Sequence, residues 1–157
     1  MLIWQCKKFN ELSINELYSI IKARQDVFIM EQDCVYADLD GADHECLHLF
    51  ATLESDDLNT PHLNIVAYLR IVPPGVKYPQ ASLGRILTTS QARGTGAGTS
   101  LVTKALEQIE RDHPAQDIKI SAQVYLQKFY KSFGFKNISE IYDEDGIDHI
   151  DMLLTRT

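Results

Sequence analysis

The chain has 157 residues, with 15 Lys and Arg against 22 Asp and Glu for a formal net charge of −7; 45% of its residues are hydrophobic and 24% charged. That length suits one domain with a substantial core, residues 1–157, and the composition is that of an ordinary globular protein. So acidic a chain lacks the broad cationic footprint that nucleic acid requires, and its surplus acid favours cationic partners only weakly, charge for solubility being the plainer reading.

The start, Met1-Leu-Ile-Trp-Gln-Cys-Lys-Lys, has no basic stretch ahead of an apolar one, and no run approaches the ~18 apolar residues of a membrane span, so neither export nor insertion is expected. Leu2–Phe9 is a short apolar segment, followed by Ser13 and Glu16 at the spacing of a reciprocal capping pair that starts a helix. Leu17, Ile20, Ile21, Val27 and Phe28 then recur on one helical face, with Arg24 read as a snorkelling stem. Asp33–Glu45 is polar and acidic, a loop or short helix. His48–Leu53 and Ile65–Val72 read as strands joined through the turn-forming Ser55–His62, and Pro73-Pro74-Gly75 ends the second.

Ser82–Thr88 is the next strand and Thr99–Arg111 a helix with Leu101, Val102, Ala105, Leu106 and Ile109 on its apolar face, stopped by His113-Pro114. Asp117–Ala122 alternates as a strand. Leu126, Phe129, Tyr130 and Phe133 share a face of a short helix that Gly134 closes, and Lys136–Tyr142 and Asp148–Leu154 read as strands joined by Asp143-Glu-Asp-Gly146. The order of elements is α+β, with a strand-helix-strand-helix-strand unit in the second half. Cys6, Cys34 and Cys46 are odd in number with no C-x-x-C spacing, which points to a reducing, cytoplasmic setting and to neither a disulfide framework nor zinc.

The chemistry-bearing motif is Gln91-Ala-Arg-Gly-Thr-Gly-Ala-Gly98, a glycine-rich turn between strand and helix, where free amides and the helix dipole make an anion site. A flexible helix entry is the plain alternative. A dinucleotide fingerprint needs a third glycine where Thr99 stands, and a P-loop needs a lysine that is missing. The remaining pattern, [Q/R]-x-x-G-x-G, resembles the coenzyme A pyrophosphate loop of the GNAT acetyltransferase superfamily. Tyr130-Lys-Ser-Phe-Gly134-Phe135 matches the family's Y-x-x-x-G-F in the expected place. Five further stretches are similar to the ElaA-like subfamily: Arg24–Gln32, Arg70–Gly75, Leu83–Arg85, Ser121–Gln123 and Tyr142–Ile150. Asp148 departs from an expected proline, and Gln91 from the commoner loop-entry residue.

The resemblance implies a central mixed twisted sheet of six to seven strands, splayed near its middle, with helices on both faces. It implies acetyl-CoA as co-substrate, with no metal. Its pyrophosphate would lie on the amides from about Arg93 to Gly98, through Gly94, Thr95, Gly96 and Ala97, with Gln91 and Thr99 flanking. The pantetheine arm would pair with the backbone of Ile86, Leu87 and Thr88; Gln123 and Phe129 would line it, and Tyr130 would face the sulfur. The acceptor is expected to be a primary amine of a small cationic metabolite, with a peptide or protein amine as the near alternative. A homodimer is plausible by resemblance alone. A non-catalytic acyl-CoA sensor is the rival from another class.

An alkylamine of pKa ~10.4 must lose a proton before attack, so a base is required. Candidates are Glu31, His149, His48, Asp43 and His44, with Asp38, Asp40 and Asp43 available to hold an ammonium. Asp145 or Asp148 would raise the basicity of His149. Each has a plainer reading: solvated loop for the aspartates, structural histidine for His149 and His48. Tyr130 would protonate the leaving thiolate or else only pack in the core, and an amide near Leu87 or Thr88 would stabilise the oxyanion. Ser121 and Gln123 touch the cofactor arm or cap the following helix; Arg70 and Arg85 contact an anion or pair structurally. No Ser/His/Asp pattern stands out, so direct transfer is expected.

Overall fold

The computed structural model describes residues 1–54 and 63–156; the Ser55–His62 connection expected from sequence lies outside them. Among the described residues eight strands form two four-stranded sheets. In the first, β1 (Leu2–Lys8), β2 (Leu47–Leu53), β3 (Ile65–Val72) and β4 (Ser82–Thr88) are adjacent and antiparallel. In the second, β5 (Ile118–Gln123) lies beside β8 (Ile147–Leu154), whose other edge pairs with β6 (Lys136–Asn137) and β7 (Tyr142–Glu144).

The sheets meet through one parallel bridge, Ala81 to Ile118, where Lys119 N–H donates to the Ala81 carbonyl at 2.9 Å. Beyond it β4 pairs only with β3 and β5 only with β8, so the two strands part and leave a groove. A bulge in β4 opposes Leu69 with both Arg85 and Ile86, since Tyr68 faces Leu87 while Arg70 faces Gly84.

Ser13 caps α1 (Ile14–Arg24) reciprocally with Glu16 as expected, and the helix widens to π-helical turns over Gln25–Glu31. Val27 and Phe28 thereby remain buried with Ile20 against Phe50, Tyr68 and Leu87. The alternate residues Leu49, Ala51, Ala67 and Leu69 face the opposite side and pack with Leu101, Val102, Ala105 and Ile109 of α2 (Ala97–Asp112). Helices therefore cover both faces of the first sheet. No helix among the described residues is long and apolar enough to cross a membrane.

Two sequence expectations are corrected. Lys136–Tyr142 is not one strand: the Ile138 N–H still donates to the Asp151 carbonyl at 2.9 Å, but the Asp151 N–H turns to the Ser139 hydroxyl at 2.9 Å instead of a backbone acceptor, and the ladder breaks until Tyr142. Arg24 does not snorkel. It is 1% exposed, its guanidinium fixed by Asp38 at 2.9 Å and Asp43 at 2.8 Å.

Candidate active site

The splay between β4 and β5 opens a cavity of about 530 Å³. Leu83 to Ile86 of β4 form one wall and Ile120, Ser121 and Gln123 of β5 the other. Tyr125, Tyr130 of α3 (Gln127–Lys131) and Glu144, Asp145 and His149 of the β7–β8 hairpin line it as well. Tyr130 and His149, nominated from sequence, are thus brought together.

Tyr130 is 4% exposed and packed edge-on against Phe129 and Phe135. Burial raises the pKa of its phenol, and its hydroxyl has no protein partner among the described residues. Its ring therefore satisfies the core-packing reading while the residue still lines the groove.

His149 sits across from Gln123 of β5 and from Tyr142 of β7, with its ring stacked on Tyr142 at 6.1 Å. Its Nδ1 donates to the Ile147 carbonyl at 2.8 Å, because a carbonyl can only accept. In the neutral ring Nε2 is then the proton acceptor, and it lies 3.3 Å from Oε2 of Glu144. The carboxylate beside His149 is Glu144, not Asp145 or Asp148; sequence reading missed it. Asp148 is exposed, and strand alternation sends it to the other face from His149. Asp145, at φ 52°, lines the groove, and its carbonyl accepts the Cys34 thiol at 3.2 Å.

The acidic segment is not a solvated loop. Asp38, Asp40 and Asp43 interleave with Arg24, Arg70 and Arg85. Asp43 Oδ1 accepts from Arg24 at 2.8 Å and Arg70 at 2.9 Å, and Asp40 receives Arg70 at 2.6 Å. Asp43 is buried outside the groove, so it is not placed to meet an ammonium; Asp40 reaches the groove already neutralised. Arg70 and Arg85 accordingly pair structurally. An arginine inside an otherwise apolar strand, as at Arg70, was the available signal, since a buried charge demands a partner.

His48 is also structural: Nε2 donates to the Asp43 carbonyl at 2.9 Å, and Nδ1 accepts from the Tyr68 hydroxyl at 2.8 Å. Burial lowers its pKa. His44 is exposed against the Phe9 ring. Glu31 lies outside the groove, in a smaller cavity of about 270 Å³ together with Gln91, and pairs with Arg93 at 2.5 Å. Gln123 makes no helix cap; its amide donates to Gln32 at 3.4 Å, while the Ser121 hydroxyl lies 2.5 Å from that of Tyr142.

In the glycine turn Gly94 and Gly96 have φ of 78° and 85°, the left-handed region glycine favours. A Cβ on either would meet no atom within 4 Å, so open space lies over the turn. The Arg93 and Thr95 amides point inward, to the Thr89 and Ala92 carbonyls. Among the described residues those of Gly94, Gly96, Ala97, Gly98 and Thr99 have no protein acceptor. Gly98 abuts Phe129 and Thr88, which joins the turn to the end of β4. Free amides beside open space fit a phosphate group.

The sequence model described as an acetyltransferase (GNAT) domain matches residues 63–156. Protein ElaA of Escherichia coli is 36% identical over 155 residues, covering 97% of this chain and 95% of its own, and a UPF0039 protein of Synechocystis is 39% identical over 150 residues, covering 96% and 93%. The crystal structure of an acyl-CoA N-acyltransferase from Pseudomonas aeruginosa superposes with a TM-score of 0.88 at 37% identity, covering 99% of this chain and 100% of that one. That of E. coli ElaA gives 0.86 at 35%, covering 98% and 99%. With a splayed sheet, an open glycine turn and a buried tyrosine between them, the chain belongs to the GNAT acetyltransferase family.

Proposed function

We propose that the protein transfers the acetyl group of acetyl-CoA directly to a primary amine of a small molecule. The observation that carries this reading is the convergence of Tyr130, the unpaired edge of β4 at Ile86 and the Nε2 side of His149 on one groove. Acetyl-CoA supplies an activated thioester. The free amides of Gly94, Gly96, Ala97, Gly98 and Thr99 hold its pyrophosphate, Ile86, Leu87 and Thr88 the pantetheine arm, and Gln123 and Phe129 flank that arm.

The acceptor enters as its ammonium from the groove, against Glu144 and Nε2 of His149. Nε2 of His149 takes the proton, and the freed nitrogen pair attacks the thioester carbonyl. Charge developing on the carbonyl oxygen meets an amide of β4 near Leu87. As the C–S bond breaks, the Tyr130 hydroxyl protonates the departing sulfur; its raised pKa keeps that proton in place at neutral pH. The attacking nitrogen still carries one surplus proton, which it loses through solvent as the amide forms. That proton makes good the one Tyr130 gave to sulfur, and His149 returns the first to solvent, so the products are the amide, the coenzyme A thiol and one released proton.

The test is coenzyme A release with acetyl-CoA and a panel of primary amines that includes peptides. Turnover on small amines is expected. Turnover on peptides alone would move the acceptor class, and tight acetyl-CoA binding without transfer to any amine would favour a sensor.

A further inference from the structure

Charge on the acceptor side of the groove is divided, and the division describes a ligand. Asp40 and Arg85 line it but neutralise each other within the arginine–aspartate network. On the hairpin side stand Glu144, Asp145 and the accepting Nε2 of His149. Two proton acceptors 3.3 Å apart repel unless they share a proton or a donor bridges both from the groove side, and an ammonium supplies such a bridge.

On the loop between β3 and β4 stands Lys77. Its ammonium has no carboxylate within 4.0 Å among the described residues and rests 5.3 Å from the centre of the Tyr78 ring. Lys77 is exposed overall yet lines the groove, where partial desolvation lowers its pKa, only partly offset by the charge of Glu144. A cation losing hydration without a partner is poised for an anion.

We propose that the acceptor is amphoteric, an amine that also carries a carboxylate, with the ammonium held by Glu144 and His149 and the carboxylate by Lys77. This rests on the acyl-transfer reading and narrows its acceptor from cationic amines in general. A diamine of the same span would set its second ammonium against Lys77, which costs affinity, and an uncharged amide would leave Lys77 unpaired.

The experiment compares amino acids of increasing chain length with their primary amides and with diamines of equal length, using acetyl-CoA and reading kcat/KM. The best amino acid is expected to exceed its amide by at least ~10-fold, as for a sheltered charge-assisted contact. That ratio should collapse toward one in Lys77→Met and return in Lys77→Arg. Preference for amides or diamines in the wild type, or a ratio unchanged in Lys77→Met, overturns the proposal while leaving acyl transfer intact. Transfer to no member of the panel, with acetyl-CoA bound, overturns both.

Discussion

Arg85 holds a left-handed backbone, φ 52°, while its Nη2 donates to the carbonyl of Asp38 at 2.9 Å and its Nε lies 2.9 Å from the carboxylate of the same residue. Such a conformation in a non-glycine residue costs ~1 kcal/mol and persists where surroundings over-determine it. Here it produces the β4 bulge that turns Ile86 toward the groove. Asp38 also binds Arg24 of α1, so one carboxylate ties helix, loop and bulged strand together.

Asp38→Ala should therefore destabilise the protein by about 3 kcal/mol in urea unfolding, because it strips a partner from the buried Arg24. A loss under ~1 kcal/mol would show that the network does not hold the fold. The same variant should raise KM for acetyl-CoA more than it changes KM for the amine, since the bulge faces the donor arm.

Acid should unfold the protein in two stages. Burial holds His48 below its ordinary pKa, so its contribution is present above ~pH 6.5 and fades as pH falls through the lower folded value. Asp40 is held below the usual carboxylate range by hydrogen bonds from Arg70; Asp43 is lowered because Arg24 and Arg70 outweigh its burial. Their contribution is present above ~pH 4 and is lost as pH falls through their folded values. Urea midpoints across pH 2–8 check this. Asp43→Asn should flatten the lower stage, and an unchanged slope there would contradict the assignment.

Local patterns were legible and through-space pairs were not. Ile65–Val72 and Ser82–Thr88 have the expected bounds because prolines or turn-forming residues flank them in the sequence, and the Ser13–Glu16 cap lies within one helical turn. The turn at Asp145-Gly146 has φ of 52° and 84°, as an Asp-Gly hairpin requires. Arg24 and Asp43 are 19 positions apart and Arg85 and Asp38 are 47 apart, so no periodicity reports them. The approach of Glu144 to His149 depends on hairpin register, which the sequence does not display, whereas Asp145 and Asp148 stand out by nearness in sequence.

Glu31 and His149 each carry a group able to accept a proton, and their positions separate them. Glu31→Gln should leave the acid limb of the kcat/KM profile unchanged, since Glu31 lies outside the groove. It should change KM for acetyl-CoA by no more than ~5-fold, because the exposed pair with Arg93 is worth at most ~1 kcal/mol and Arg93 stays held by the Thr88 carbonyl at 2.8 Å and 3.1 Å. His149→Gln should remove the acid limb and lower kcat by ~100-fold. The reverse pattern would return the proton to Glu31.

Tyr130→Phe isolates one hydroxyl. That hydroxyl has no protein partner among the described residues, while the ring packs against Phe129 and Phe135, so the variant should fold with stability within ~0.5 kcal/mol of wild type. Acetyl-CoA affinity should change less than ~3-fold, because the amides of the glycine turn are untouched. kcat should fall by 100-fold or more if the hydroxyl protonates the leaving sulfur. A thioester of a more acidic thiol needs that proton less, so the deficit should shrink steadily as leaving-group pKa falls. An equal deficit across leaving groups would make Tyr130 a positioning residue, and no deficit at all would reduce it to core packing.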